Sequence, residues 1–132
     1  MILADTSVWA QHIRAANEGL GFALARGTIV IHEFVLGELV LGHIKGGATM
    51  ETLLFALARL PAASTEQVLD FVRAHKLRGA GIGWTDAHLL AAAVTNGLSL
   101  WTFDKALASQ ALRLGVAWPR YSPQNRLSPR ED

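Results

Sequence analysis

Three short apolar runs each lead into a stretch with helical spacing, and that repetition leaves few folds open. The runs are Met1–Ala4, Thr28–Ile31 and Leu98–Phe103. Each has the length and composition of a buried strand. After the first, Thr6 and Ser7 can cap a helix over Val8–Ala16, and a second helical stretch runs from Asn17 to Ala25, ending at Gly27. After the second run, Leu36, Leu39 and Val40 predict a helix over Glu33–His43. Gly46 and Gly47 interrupt the chain. Met50, Leu53, Leu54, Leu57 and Leu60 then predict an amphipathic helix closed by Pro61. Ser64 or Thr65 caps a helix over Glu66–Lys76. Thr85 or Asp86 starts one that runs through Val94 and stops at Asn96-Gly97. Asp104 opens a last helix to Leu114, and Val116–Trp118 has the makings of a short strand. Strands alternating with helices predict an α/β fold with a mostly parallel sheet covered on both faces.

No internal repeat or linker divides the 132 residues, so one domain is expected over residues 1–118, followed by an irregular tail over 119–132 that holds Pro119, Pro123 and Pro129. Composition is 51% hydrophobic and 17% charged, as in globular chains. The absence of cysteine excludes disulfides, zinc–thiolate sites and thiol catalysis, and suits a reducing cytoplasm. No apolar run approaches the ~18 residues of a membrane span. Only Met1–Ala4 precede Asp5, too little for a signal peptide, so a cytoplasmic protein without a membrane partner is expected.

Four carboxylates in separate stretches stand out: Asp5, Glu38, Asp86 and Asp104. Asp5 and Asp104 follow predicted strands, and in open parallel sheets sites form outside the carboxyl ends of the strands. Asp5, Asp86 and Asp104 also have a plain alternative as helix N-caps. Glu38 resists that reading. It stands in an apolar helix between Leu36 and Leu39, where it needs either a path to solvent or a partner in a cleft. Glu33 lies about 140° around the same helix from Glu38 and reads as N-terminal helix charge.

Clustered carboxylates repel unless a cation joins them, and hard Mg²⁺ or Mn²⁺ takes oxygen ligands. Such an ion can activate a water and, as a pair, stabilise a leaving oxygen, which is the chemistry of phosphodiester cleavage. Thr6, Ser7 and Thr102 can orient a carboxylate or a water, or serve only in capping and packing. With four of the 11 acids neutralised by a cation, the 12 Lys and Arg stand against seven, a balance that attracts a polyanion. The alternative is an ordinary, mildly basic surface.

Other sites fit less well. The five histidines give no H-E-x-x-H pair, and neither a G-x-x-x-x-G-K-[ST] nor a G-x-G-x-x-G phosphate loop is present. His88, two residues after Asp86, reads as a surface residue or an indirect support. Trp9, Trp84, Trp101 and Trp118 adjoin apolar segments, so core packing is expected for most of them, with base stacking the alternative. A phospho-accepting receiver domain would need an acidic pair after the first strand, where this chain has Asp5 alone.

Four segments together resemble the motifs of PIN-domain proteins, above all the VapC-type toxins of bacterial toxin–antitoxin pairs. They are Asp-Thr-Ser-Val-Trp at 5–9, Gly-Glu-Leu at 37–39, Gly-Ile-Gly-Trp-Thr-Asp-Ala-His at 81–88 and Leu-Trp-Thr-Phe-Asp-Lys at 100–105. Order and spacing agree over residues 1–118. The resemblance implies a three-layer α/β/α sandwich and a metal-dependent endoribonuclease. It assigns metal and catalysis to Asp5, Glu38, Asp86 and Asp104, with Thr6, Ser7 and Thr102 supporting. It further implies a homodimer, held inactive by a cognate antitoxin whose Arg or Lys enters the acidic site. Glu33 stands where relatives often carry proline. The stretch Met50–Leu60 is a candidate dimer or antitoxin surface, or simple core. RNA selection would fall to basic side chains such as Arg14, Arg73, Arg78 and Arg113. A PIN-like module that binds RNA or protein without cutting is the remaining alternative.

Overall fold

The computed structural model describes residues 1–42 and 46–119. The expected tail beyond Pro119 and the expected helix end at His43 lie outside these residues. The element order is β1 (Ile2–Ala4), α1 (Thr6–Arg14), α2 (Glu18–Ala25), β2 (Ile29–His32), α3 (Glu33–Leu41), α4 (Gly47–Ala56), β3 (Ala58–Leu60), α5 (Thr65–Ala74), α6 (Trp84–Asn96), β4 (Ser99–Trp101) and α7 (Lys105–Arg113).

The four strands form one sheet in the order β3-β2-β1-β4, and every pairing is parallel. In β1, Leu3 lies opposite Val30 on one side and Leu100 on the other. A parallel bridge from Ala117 to Leu100 extends the β4 edge, at the place of the short strand expected over Val116–Trp118. The helices pack in two groups: α1 against α3 and α3 against α4, then α5 against α6 and α6 against α7. Parallel crossovers are right-handed. The connections β1→β2→β3 step one way along the sheet and β3→β4 steps back, so the two helix groups cover opposite faces. This is the three-layer α/β/α arrangement. Leu3, Ile31 and Leu100 from the sheet, with Trp9, Leu20, Leu90 and Leu107 from the helices, are fully buried between the layers.

Side chains set the helix starts. Asp5 caps α1, Asn17 Oδ1 accepts from Leu20 N–H at 2.9 Å to cap α2, and His32 Nδ1 accepts from Phe34 N–H at 3.0 Å to cap α3. Ser64 and Gln67 form a reciprocal capping box on α5. Gly97 closes α6 at φ +66°, a left-handed conformation that suits a residue without Cβ.

Two expectations fail here. The first helix opens at Thr6, with Asp5 rather than Thr6 or Ser7 as its cap. The helix expected over Met50–Leu60 instead ends at Ala56, and Ala58–Leu60 is an edge strand paired with Val30–His32. Leu57 is extended, and the leucine spacing continues past the true break. Pairing with β2, a long-range interaction, decides the state of these three residues. As a packing surface α4 is half used: Leu54 is buried, whereas Leu53 and Phe55 are exposed.

Candidate active site

The strand order places a topological switch between β1 and β4, because the chain leaves β1 toward β2 and returns to β4 on the other side. Asp5 and Thr102 directly follow these two strands. Asp5 N–H donates to Trp101 C=O at 2.9 Å, which carries the β1–β4 ladder one residue further.

Asp5 is buried and hydrogen-bonded through both oxygens. Its Oδ1 accepts from Ser7 N–H at 2.9 Å, Val8 N–H at 3.3 Å and Ser7 Oγ at 2.5 Å. Its Oδ2 accepts from Thr102 Oγ1 at 2.5 Å. Each hydroxyl reaches on to the β4 loop. Ser7 Oγ accepts from Phe103 N–H and Thr102 Oγ1 from Asp104 N–H, both at 3.0 Å. One carboxylate thus ties the ends of β1 and β4 together while capping α1. Asp104 is a helix cap too: its Oδ2 accepts from Leu107 N–H at 2.8 Å at the start of α7.

Glu38 reaches solvent from α3, and its Oε1 accepts from Thr6 Oγ1 at 2.6 Å, so it has both the path and the partner its apolar setting demands. Asp86 is not the cap of α6, contrary to the capping alternative. Gly83 holds that position, and Asp86, in the first turn, accepts from Gly83 N–H through Oδ2 at 3.4 Å. Oδ1 of Asp86, Oδ1 of Asp104 and Oε2 of Glu38 have no hydrogen-bond partner among the described residues.

Electrostatics link all four acids. The Asp86 carboxyl is raised above its ordinary range, first by burial and then by the negative charges of Asp5, Asp104 and Glu38; the Gly83 N–H acts in the opposite direction. The site thus gathers acids from the ends of β1 and β4, from α3 and from α6. Among the described residues, no three carboxylates or imidazoles stand close enough to one another to hold a metal ion as they are placed. The donor chemistry nonetheless suits a hard divalent cation: all oxygen, anionic, with an unengaged oxygen on three of the four acids.

Of the two positions expected for His88, at the surface or in indirect support, the surface one does not hold. His88 is buried, ringed by Trp84, Phe34 and His32 with centroid separations of 4.7, 4.7 and 6.1 Å, and its Nδ1 has no partner among the described residues. Burial lowers its pKa, and burial together with His88 lowers that of His32. Sequence reasoning missed His32 as a helix cap, because imidazole is not a usual cap and only the strand-to-helix junction pointed to it. Of the tryptophans, Trp9 is fully buried, Trp101 and Trp118 partly so, and Trp84 is exposed. Glu33 has more than helix charge to it, since Oε1 accepts from Ala62 N–H at 2.7 Å beyond β3. Arg113 is held by His75 C=O at 2.7 Å, which ties α7 to the end of α5.

A parallel sheet with an acidic site at its switch point defines the class, and the PIN domain family matches residues 2–111. The chain belongs to that family. In sequence it is similar to Ribonuclease VapC32 of Mycobacterium tuberculosis. In the strains CDC 1551 / Oshkosh and ATCC 25618 / H37Rv alike, it is 41% identical over 118 residues, 89% of this chain and 95% of the relative. In structure it is similar to PAE2754 from Pyrobaculum aerophilum, known from its crystal structure, with a TM-score of 0.57 and 19% identity over 86% of this chain and 95% of that one. What this second likeness shows is the shared fold.

Proposed function

We propose that this chain is a metal-dependent endoribonuclease, the toxin of a toxin–antitoxin pair. The observation that supports the reading is the placement of Asp5 and Asp104 just beyond β1 and β4 at the switch point of the sheet, with Glu38 joined to Thr6 from α3 and Asp86 within electrostatic reach of all three. A carboxyl whose charge is disfavoured by neighbouring carboxylates gains from a cation that neutralises them. Membership of the PIN family and 41% identity to a protein named a ribonuclease support the same conclusion.

Asp5, Glu38, Asp86 and Asp104 are assigned to hold Mg²⁺, for which Mn²⁺ can substitute. The ion, when bound, supplies Lewis acidity to a water and neutralises charge on the phosphodiester. The water oxygen forms the new bond to phosphorus, the bond to the leaving oxygen breaks, and that oxygen takes up a proton. Asp5 is the rigid member, immobilised by four hydrogen bonds. Thr102 and Ser7 keep Asp104 and the β4 loop in register with it, and Thr6 orients Glu38. Asp86, with Oδ1 unengaged, is available to the ion or to the proton of the attacking water.

The catalytic unit is residues 1–118, with 119–132 as an appendage. The substrate is RNA, and the partners are a second copy of the chain and an antitoxin whose Arg or Lys pairs with the acidic site. Among the described residues no helix is long and apolar enough to cross a membrane, and a cytoplasmic setting follows from the toxin reading. Asp86→Asn keeps the shape and the acceptor for Gly83 N–H but removes the charge. It should abolish RNA cleavage with an unchanged circular dichroism spectrum; a folded variant that cuts at the wild-type rate would overturn the assignment.

A further inference from the structure

The four acids are not held alike. Asp5 is bonded to Thr102 across the sheet and to Ser7 on α1. Asp104 joins the same network, since its N–H donates to Thr102 Oγ1. Glu38 accepts from Thr6, the residue after Asp5. Asp86 differs: among the described residues its hydrogen bond is to Gly83 N–H, the cap of its own helix. Its distance from the other three acids is therefore set by how the first turns of α6 are packed.

Those turns have one large anchor. Of residues 84–88 only Ala87 and His88 are buried, and only His88 carries a sizeable side chain. Its ring lies 4.7 Å from that of Phe34 in the first turn of α3, and 6.1 Å from that of His32 at the end of β2. His32 and Phe34 are themselves 5.0 Å apart, so the three rings close a triangle. Trp84 meets the His88 ring edge-on at 4.7 Å and 89°. The triangle joins the two helix layers at the sheet edge that carries the acids, because α3 and α6 cover opposite faces and β2 ends between them. Phe34 stands one turn before Glu38 on α3, and His88 about half a turn after Asp86 on α6. A change at this contact therefore moves Asp86 against Glu38. His88 Nδ1 has no hydrogen-bond partner among the described residues, so the ring acts here by its shape.

We infer that His88 is a positioning residue: packed on Phe34 and His32, it fixes the distance of Asp86 from Glu38 and Asp5, and thereby the affinity of the acids for their cation. The inference rests on the metal-site reading of those acids. Affinity is steep in this distance, because Mg²⁺ takes oxygens at about 2.0–2.1 Å in a near-octahedral array. Groups that orient ligands without touching the ion are typically worth about 10- to 100-fold in metal affinity.

The test is calorimetric titration of the RNA-free protein with Mn²⁺, well below the Tm of every variant. His88→Ala and Phe34→Ala should each weaken binding about 10- to 100-fold. The double variant should lose little more than the weaker single variant, because both changes break the same contact. His88→Phe keeps a ring and should bind as wild type. His88→Leu fills the space without a flat ring and should bind more weakly. Leu20→Val disturbs a fully buried side chain on α2, which carries none of the acids; it should lower Tm and leave Mn²⁺ affinity unchanged. Alanine variants that bind as wild type, additive losses in the double variant, or an equal loss in Leu20→Val overturn the positioning role. Where an alanine variant does not fold, His88→Leu against His88→Phe decides, and equal affinities overturn it. A wild type that binds no Mn²⁺ removes the metal-site reading and the positioning role together. Wild-type binding with unaltered variants removes the positioning role alone.

Discussion

Asp5 shows how little the capping and site roles of an acid compete. The N-terminus of a helix draws a carboxylate, and the end of a parallel strand delivers it to the edge where sites form. Asp5 and Asp104 satisfy both, so the capping alternative and the site alternative of the sequence describe the same residues. Asp86 is different, since its burial and its neighbours disfavour its charge. A carboxyl with a raised folded-state pKa ionises in the unfolded chain first, so ionisation at neutral pH weighs against the fold. Asp86→Asn should therefore raise the metal-free Tm at pH 7, and the gain should vanish once pH falls below the ordinary carboxyl value of 3.8. Melting curves in EDTA at neutral pH and below that value check this.

His32 carries the opposite sign. Its Nδ1 accepts a backbone N–H, its ring is buried, and its pKa is lowered by burial and by His88, against a raising effect from Glu33. Above its ordinary value of 6.5 both states are neutral and nothing depends on pH. As pH falls through 6.5 the unfolded chain takes up a proton that the fold refuses, so stability falls until the lowered folded-state value is passed. Urea midpoints should decline as pH is lowered through that value, and His32→Asn, which keeps a cap acceptor, should flatten the slope.

At the scale of elements, the sequence is readable where local chemistry and tertiary demand agree. β1, β2 and β4 announce themselves by apolar composition, and α2, α5 and α7 by Asn17, Ser64 and Asp104 at their starts. β3 does not. Ala58-Arg59-Leu60 has no β-branched residue, and the leucine period of α4 runs through it, so only its pairing with Val30–His32 makes it a strand. The start of α6 is displaced from the expected Thr85 or Asp86 for a similar reason: Gly83, with no side chain to signal it, holds the cap. The α6–β4 junction offers a clean test of the conformational argument. Gly97 has φ +66°, and a Cβ added there would meet nothing within 4 Å, so Gly97→Ala meets only backbone strain. It should cost about 1–2 kcal/mol in chemical denaturation. A cost near zero would mean that the turn relaxes to another conformation.

On the scale of the whole molecule, the candidate site is legible in the sequence because the fold rule and the acid pattern coincide at one edge of the sheet. Its geometry is not. That Asp5 accepts from Thr102, that Thr6 pairs with Glu38, and that His88 is buried all depend on packing between elements distant in sequence. A metal-filled site also ties stability to cation binding. A ligand that binds only the folded state stabilises it by about 2.7 kcal/mol at roughly a hundred times its dissociation constant. Saturating Mg²⁺ should thus raise the Tm of the wild type by several degrees and leave that of Asp86→Asn nearly unmoved.

The decisive experiment is cleavage of total cellular RNA by the purified, antitoxin-free protein with Mg²⁺, with Mn²⁺ and with EDTA. A carboxylate-held cation predicts discrete fragments with either metal, none with EDTA, and none with Asp5→Asn, whose side-chain oxygen still caps α1. Fragments that persist in EDTA, or that Asp5→Asn produces as readily as the wild type, would contradict it.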